Sequence, residues 1–400
     1  LTDKLVEQAA KESQKAVVFI GRTAGEDQDN ADKAGSYQLT DIEMDMVTKV
    51  CHNFDKVVVI FNTTNIMDMA WLNTLENSQS IKAVLYSWAA GMEGGHALAD
   101  VLSGKQSPSG RLTDTIAHKL ADYPSAANFG RKDYNTYVED IYVGYRYFET
   151  FHPKAVQYAF GSGLSYTEFK RELVSYKEVG SGSDGTLQFD IKVTNTGNKY
   201  SSKEVVQLYM EAPQGRLGQP SRALVGFAKT SVLKPGASEQ VRISVALAAL
   251  ASYDDSGATG HRSCYVLEQG CYQFYLGASV RQAEKVNAAY ELDKLLLVEQ
   301  LSEALAPIRP FQRLKPGVQN EHGLYTKSHE PVPQRTISLS QRMQDNMPET
   351  HKITGDQGIK LQDVQQGKAS LAAFVAQMTP EQLATIVRGE GMCSAKVTPG

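Results

Sequence analysis

The sequence predicts a multidomain chain: a layered α/β domain with parallel strands, followed by an all-β sandwich of the immunoglobulin-like kind. Up to about residue 150, short apolar, β-branched runs alternate with segments of helical period, which is the pattern of parallel strands joined by crossover helices. From Phe169 to Val280 the period changes to two, in short segments separated by turn residues. The length of 400 residues exceeds what one hydrophobic core organises and leaves room for two or three domains.

Taken in order, Leu5–Ser13 is expected as a helix ahead of the first strand. Ala16-Val17-Val18-Phe19-Ile20 is a continuous apolar run and predicts a fully buried strand. The chain then breaks at Gly21, passes Gly25 and enters a loop carrying Glu26, Asp27, Asp29 and Asp32. Thr40 with Glu43 three residues on is a capping box, and it opens a helix whose apolar face is Ile42, Met46, Val47 and Val50. Lys56–Phe61 predicts a second buried strand, Ile66–Leu75 a helix and Ile81–Tyr86 a third strand. Gly91–Leu102 predicts a helix stopped by Gly104, a residue suited to the left-handed position that ends helices. Residues 105–165, richer in Pro, Gly and Tyr, are expected as a connecting loop.

In the second half, Leu187–Val193, Val205–Tyr209 and Val241–Val245 alternate as half-buried strands do, with turns at Asn195-Thr196-Gly197 and Pro235-Gly236. About seven such strands make a sandwich. Leu295–Leu305 is amphipathic and leads into a Pro- and charge-rich linker up to residue 335. Helical period returns from Gln362 to Arg388, with Thr379-Pro380-Glu381-Gln382 as a helix start. There is no internal repeat.

Composition narrows the function. A hydrophobic share of 42% with 22% charged residues is that of an ordinary globular protein, and a net charge of −4 offers no basic footprint for nucleic acid. No apolar run approaches the roughly 18 residues of a membrane helix. The first residue is Leu1, with no basic, apolar leader before it, so the expectation is a processed start or a fragment. Cys51, Cys264, Cys271 and Cys393 show no paired spacing; neither a zinc site nor a disulfide framework is indicated, no metal or cofactor is expected, and a reducing compartment fits.

Chemistry in open α/β sheets collects beyond the carboxyl ends of the strands, so the acidic loop after Ile20 is the candidate site and Glu26 the candidate proton-transferring carboxylate. The bland reading is a solvated loop glutamate. Calcium is excluded: an EF-hand loop beginning at Asp27 would need an acid or Asn, then Gly, then Glu at its fifth, sixth and twelfth positions, where Ala31, Asp32 and Gln38 stand. Gly91-Met92-Glu93-Gly94-Gly95 is no dinucleotide fingerprint and precedes no phosphate-binding lysine; close helix–sheet packing is the better account. Trp71 and Trp88 read as core before sugar platforms. The segment Tyr137–Phe148 could line a sugar cleft or clamp a domain seam. His52, His96 and His152 lack ligand spacing.

Several stretches together resemble the family 3 glycoside hydrolases, the β-glucosidase family. Gly25-Glu26-Asp27-Gln28-Asp29 is similar to its G-E-G-x-D loop, and Trp88 with Gly91, Glu93 and Gly95 to its W-x-x-G-x-E-x-G stretch. Ser107–Leu112 resembles N-P-S-G-K-L, Ile141–Phe148 I-Y-V-G-Y-R-Y-F, and Phe160–Thr167 the junction F-G-x-G-L-S-Y-T. Val193–Gly197 and Glu204–Tyr209 resemble its fibronectin type III-like domain. The likeness covers about residues 1–285.

It implies a retaining, exo-acting β-glycosidase, foremost a β-glucosidase releasing terminal non-reducing β-D-glucosyl residues from cello-oligosaccharides or aryl glucosides by double displacement. Glu26 would be the general acid/base, with contacts to the leaving-group sugar from Arg22, Asp27 and Gln28, no cofactor and no metal. The Asp nucleophile belongs to a (β/α)8 barrel. Here the α/β domain comes first, and Leu371–Gly391 resembles a barrel start, as in the permuted branch of the family. With that order and no leader in view, the compartment expected is the cytoplasm. The expected boundaries are 1–165 for the α/β sandwich domain, 166–285 for the fibronectin type III-like sandwich, 286–335 for a linker and 336–400 for the start of the barrel. The nucleophile is then expected beyond Gly400 and the first part of the α/β domain before Leu1, so these residues alone should not turn over. Asp27 and Asn30 depart from the family loop. β-Xylosidase or arabinofuranosidase specificity, a non-catalytic sugar-binding or scaffolding member of the fold, and a homodimer are left open.

Overall fold

Lys15–Gly21 (β1), Lys56–Asn62 (β2) and Ile81–Tyr86 (β3) pair in parallel in that order, with β1 and β2 in register from Lys15 opposite Lys56 to Gly21 opposite Asn62. The computed structural model describes residues 1–22, 31–350 and 352–388. The chain divides into two units, Leu1–Arg335 and Thr336–Gly400.

One face of the parallel sheet presents Val18, Ile20, Val57, Val59 and Phe61 to Val6 of helix α1 (Asp3–Glu12) and to Val47, Val50 and Cys51 of α2 (Asp41–Asn53). β1 departs from the fully buried strand expected: it alternates, with Val17 46% and Phe19 54% exposed. It is the edge of the sheet, and the helices gather on the face that Val18 and Ile20 occupy. The buried stripe of α2 also begins a turn later than expected, leaving Ile42 exposed.

Ile66–Leu75 is not an α-helix. Only Ala70–Asn73 turn, as a single 3₁₀ turn, because Asp68 captures the local donors: its carboxylate accepts from Ala70 N at 2.8 Å and its carbonyl from Trp71 Nε1 at 3.1 Å. α3 (Gly94–Leu102) starts three residues later than expected, after Gly91 at φ +69°, and ends before Gly104 at φ +77°. The expected loop of residues 105–165 also carries a short antiparallel pair, β4 (Ile116–Ala117) with β5 (Val156–Tyr158), and a helix, α4 (Tyr145–Phe151).

The all-β part is a sandwich of seven strands. One sheet orders β10 (Ser238–Ala246), β7 (Thr186–Asn195) and β6 (Phe169–Val179). The other orders β14 (Glu284–Leu292), β13 (Gly270–Gly277), β8 (Val205–Glu211) and β9 (Ala223–Lys229). Leu187, Phe189, Ile191 and Val193 meet Val206, Leu208, Phe274 and Tyr290 in one core, and the Phe189 and Phe274 rings touch edge-on at 4.9 Å. β11 (Ser252–Asp254), β12 (Cys264–Leu267) and β15 (Leu296–Gln300) make a small third sheet beside it.

Residues 286–335, expected as a linker, are instead built into the first unit. Ala288 and Tyr290 alternate inward on β14, Leu296 on β15 packs against the sandwich core, and β16 (Gln312–Gln319) with β17 (Tyr325–Pro331) forms a hairpin. The hairpin is fastened to the α/β layer, where Leu314 N donates to Val138 O at 2.7 Å and Arg313 pairs with Asp140 at 3.6 Å; Arg313 also bridges Asp255 of the all-β part at 2.7 Å and, within the hairpin, Glu330 at 2.8 Å. The tyrosine-rich segment is the seam itself. Tyr142, Tyr147 and Phe148 are buried with Tyr209 and Leu314, while the Tyr145 ring stacks on Phe160 at 4.4 Å and its hydroxyl accepts from Leu224 N at 2.8 Å. Clamping, of the two roles open for this segment, is the one these contacts perform.

Gly161 closes the seam at φ +79°, and a Cβ there would stand 2.1 Å from Gln207 Oε1. Gln207 cannot yield, because its amide donates to Gly161 O and Ala278 O while accepting from the Tyr209 hydroxyl. Left-handed strain and overpacking add, so Gly161→Ala is expected to destabilise the protein by about 2–4 kcal/mol, read from the urea midpoint. An unchanged midpoint would mean that the seam relaxes freely.

Asp254 ends β11 with no exposed surface. Its carboxylate accepts from Ser256 N, Gly257 N at 2.7 Å, Ala258 N, Thr259 N at 2.8 Å and two hydroxyls. Burial pushes the carboxyl pKa up, but the bonds from Thr259 and its neighbours outweigh it, and the group titrates below the ordinary carboxylate range. A depressed folded pKa adds stability that is present above the unfolded value and is lost as pH falls. The urea midpoint should therefore drop as the solution is acidified below about pH 4. Asp254→Asn should cost about 1–3 kcal/mol at neutral pH and flatten that acid limb; an unaltered limb would assign it to other carboxylates.

The second unit contains four described helices, α5 (Leu339–Asp345), α6 (Leu361–Gln365), α7 (Leu371–Ala376) and α8 (Pro380–Arg388). None of its described residues is buried. Gln377 knits it internally, accepting from Gln357 N and Ile359 N and donating to Ile359 O.

Candidate active site

Beyond the carboxyl end of β1 the backbone turns at Gly21, and Arg22 N is still held by Asn62 O at 3.1 Å. The Arg22 side chain then reaches across to the returning chain. Nε donates to Ser36 O at 3.3 Å, Nη1 to Gly21 O at 2.8 Å and Glu43 Oε1 at 2.6 Å, and Nη2 to Gln38 O at 3.2 Å and Glu43 Oε2 at 2.9 Å. Glu43 is also the third residue of α2 and completes its capping box, accepting from Thr40 N at 2.8 Å while Thr40 Oγ1 accepts from Glu43 N. One carboxylate thus caps a helix and receives both arms of a guanidinium. Burial raises the pKa of Glu43, yet the bonds from Arg22 and Thr40 hold it below the ordinary range, so the pair is ionic at neutral pH.

Glu26, Asp27 and Gln28 lie outside the described residues. Of the sequence-predicted site residues Arg22 is therefore the one whose contacts are on view, and every N–H of its guanidinium is taken by a protein acceptor. The sequence marks Glu43 as a helix cap alone. The signal for its second role was available: a cap carboxylate brought by a parallel crossover to the end of the strand that Arg22 leaves.

Aromatic and carboxyl groups surround the ends of the neighbouring strands. Phe61 stacks on Tyr86 at 5.3 Å, and the Trp88 ring tilts over Tyr86 at 4.6 Å from a backbone at φ +54°. Left-handed backbone is uncommon for an aromatic residue and concentrates at functional sites. Trp71 is core, as expected. Tyr37 is 2% exposed, and its hydroxyl has no hydrogen-bond partner among the described residues; burial pushes its pKa up, as it does the Asp114 carboxyl, and the Tyr123 phenol is pushed up to about 12. Among the described residues no group of three or more His, Cys, Asp or Glu is placed to hold a metal ion, and no helix is long and apolar enough to cross a membrane. Cys51, Cys264 and Cys271 are free thiols, and Cys393 lies outside the described residues.

Residues 2–166 match the glycosyl hydrolase family 3 C-terminal domain, and residues 204–280 match a fibronectin type III-like domain. The chain belongs to glycosyl hydrolase family 3. Its relatives in that family include a beta-glucosidase of Ruminococcus albus, 46% identical over 400 residues, which are 100% of this chain and 40% of that protein. Beta-glucosidase A of Butyrivibrio fibrisolvens is 39% identical over 393 residues, covering 89% of this chain and 46% of the relative. In structure, a beta-glucosidase from Paenibacillus barengoltzii superposes with a TM-score of 0.96 at 55% identity over 100% of this chain and 43% of that one. Beta-glucosidase 3B from Thermotoga neapolitana, solved with glucose, gives 0.65 at 34% identity over 74% of this chain and 40% of its own. The chain thus spans less than half the length of these relatives. Within the family, the first segment is the C-terminal-domain layer, and residues 25–29, which resemble G-E-G-x-D, lie outside the described residues.

Proposed function

We propose that this chain is part of a retaining, exo-acting β-glucosidase to which it contributes the general acid/base, Glu26. The supporting observation is the 46% identity, across all 400 residues, to a Ruminococcus albus protein named as a beta-glucosidase. In such a mechanism two carboxyl groups stand about 5 Å apart. Glu26 donates a proton to the glycosidic oxygen as the nucleophile attacks, then takes one from the water that releases the sugar. Its pKa must be raised, which an apolar, closed site supplies by desolvation. The nucleophile is an Asp of a (β/α)8 barrel domain that begins within 336–400, after an α/β domain over 1–165 and a fibronectin-like one over 166–285. The substrate is a terminal, non-reducing β-D-glucosyl residue of a cello-oligosaccharide or aryl glucoside, with Asp27 and Gln28 among the contacts to the leaving-group sugar. The glucose bound in the Thermotoga neapolitana structure favours a glucosyl subsite. The same reading carries a cytoplasmic compartment and a homodimer.

The test is chemical rescue. The Glu26→Ala form of the full-length protein, given azide and an activated aryl β-glucoside, should yield β-glucosyl azide with retained configuration. No azide product and unaltered hydrolysis would remove Glu26 from the mechanism, and a wild type without glycosidase activity would leave a sugar-binding or scaffolding role. Preference for aryl β-xylosides or arabinofuranosides in the same assay would reassign the substrate.

A further inference from the structure

Arg22 occupies the place where a sugar contact is expected and is chemically suited to be one, but it has nothing left to give. A guanidinium carries five N–H donors. In Arg22 each has its own acceptor: the carbonyls of Gly21, Ser36 and Gln38 and the two oxygens of Glu43. The side chain is 15% exposed and that of Glu43 20%, so both are largely withdrawn from solvent. The acceptors are not scattered. Gly21 lies where the chain leaves β1, Ser36 and Gln38 where it comes back, and Glu43 on the first turn of the next helix.

We infer that Arg22 is a positioning residue and not a sugar ligand: with Glu43 it ties together the two stems, residues 21–22 and 36–43, between which Glu26 is carried. The inference rests on Glu26 being the acid/base. The physical case is that a proton donor acts only when its carboxyl is within hydrogen-bond reach of the leaving oxygen, and a displacement of about 1 Å can cost 10²-fold in rate. Planarity matters too. A guanidinium can serve a bidentate carboxylate and three carbonyls at once, where a lysine ammonium has three donors and no fork.

The experiment uses full-length enzyme and four variants, Arg22→Ala, Arg22→Lys, Glu43→Gln and the double variant Arg22→Ala/Glu43→Gln, with Glu26→Ala beside them. Each is assayed on aryl β-glucosides of poor and of activated leaving group, across pH, with free glucose as competitor. Positioning predicts a fall in kcat/KM of about 10–10²-fold on the poor leaving groups, a much smaller one on the activated ones, and a displaced basic limb of the pH profile. The glucose inhibition constant should stay within about twofold, Arg22→Lys should fail to rescue, and the double variant should be no worse than the worse single one. Two outcomes overturn the inference. One is weaker glucose binding in Arg22→Ala but not in Glu43→Gln, which makes Arg22 a ligand. The other is a lowered melting temperature in every variant with leaving-group dependence and pH profile unmoved, which makes the pair a stabiliser only. Glu43→Gln, close to isosteric, keeps the test open if Arg22→Ala does not fold. If Glu26→Ala itself shows no leaving-group dependence, the acid/base assignment fails, and that failure is visible independently of Arg22.

Discussion

Glu26→Ala is expected to lower kcat/KM for alkyl and unactivated aryl β-glucosides by about 10²–10⁴-fold, the range ordinarily supplied by a positioned proton donor. An alkoxide or basic phenoxide cannot depart without that proton, whereas an acidic nitrophenoxide departs largely unaided, so the loss on glycosylation should shrink as the leaving group becomes more acidic. The second half-reaction offers no such escape. Water attacking the glycosyl–enzyme needs a base whatever the first leaving group was, so activated substrates should show a burst followed by slow turnover. The basic limb of the wild-type pH profile, which reports the ionisation of the acid, should vanish in the variant. A uniform loss on all substrates, with the limb preserved, would assign the proton to another group.

The largest effect on stability is expected at Glu204. It stands at the start of β8 with no exposed surface and binds two guanidinium groups, Arg111 Nη2 and Arg171 Nη2, each at 2.7 Å, while its own amide donates to Thr230 Oγ1 at 2.9 Å. Arg111 is only 10% exposed, and its Nη1 also reaches Gly163 O across the junction. Glu204→Ala leaves two largely buried cations facing one another, and removing one partner of a buried pair costs about 3–5 kcal/mol. Equilibrium urea unfolding should register that loss in full. Apolar replacement of all three side chains should be much milder, because the desolvation of the charges disappears together with their attraction. A Glu204→Ala midpoint within error of wild type would mean that water reaches the cluster.

The parallel strands, the capping box at Thr40 and the seven-strand sandwich were legible because each is specified within a few residues of itself: a β-branched run, a cap pair, an alternation. What escaped depends on partners far along the chain. The outward exposure of Val17 and Phe19 depends on what lies against β1, which a local apolar run does not encode. The 3₁₀ turn at Ala70–Asn73 follows from one aspartate outcompeting a helix, and the hairpin over 312–331 hides inside a stretch whose prolines and charges mimic a linker. The site divides in the same way. Glu26 stood out through its motif, not through spacing, and the saturation of Arg22 needed the fold, because Ser36, Gln38 and Glu43 become its neighbours only after β1 and α2 are placed.

The hairpin bears on how the protein is made. The aromatic seam at Tyr142–Phe148 is completed by Tyr209 of β8 and Leu314 of β16, with Lys327 of β17 over the Tyr147 ring at 4.9 Å. A ribosome adding 5–20 residues per second needs roughly 10–40 s to travel from that helix to the end of the hairpin. Until the hairpin emerges, the nascent seam lacks the part of its cover that Leu314 and Lys327 supply, so the last step of burying these aromatic rings waits for residues made well after them.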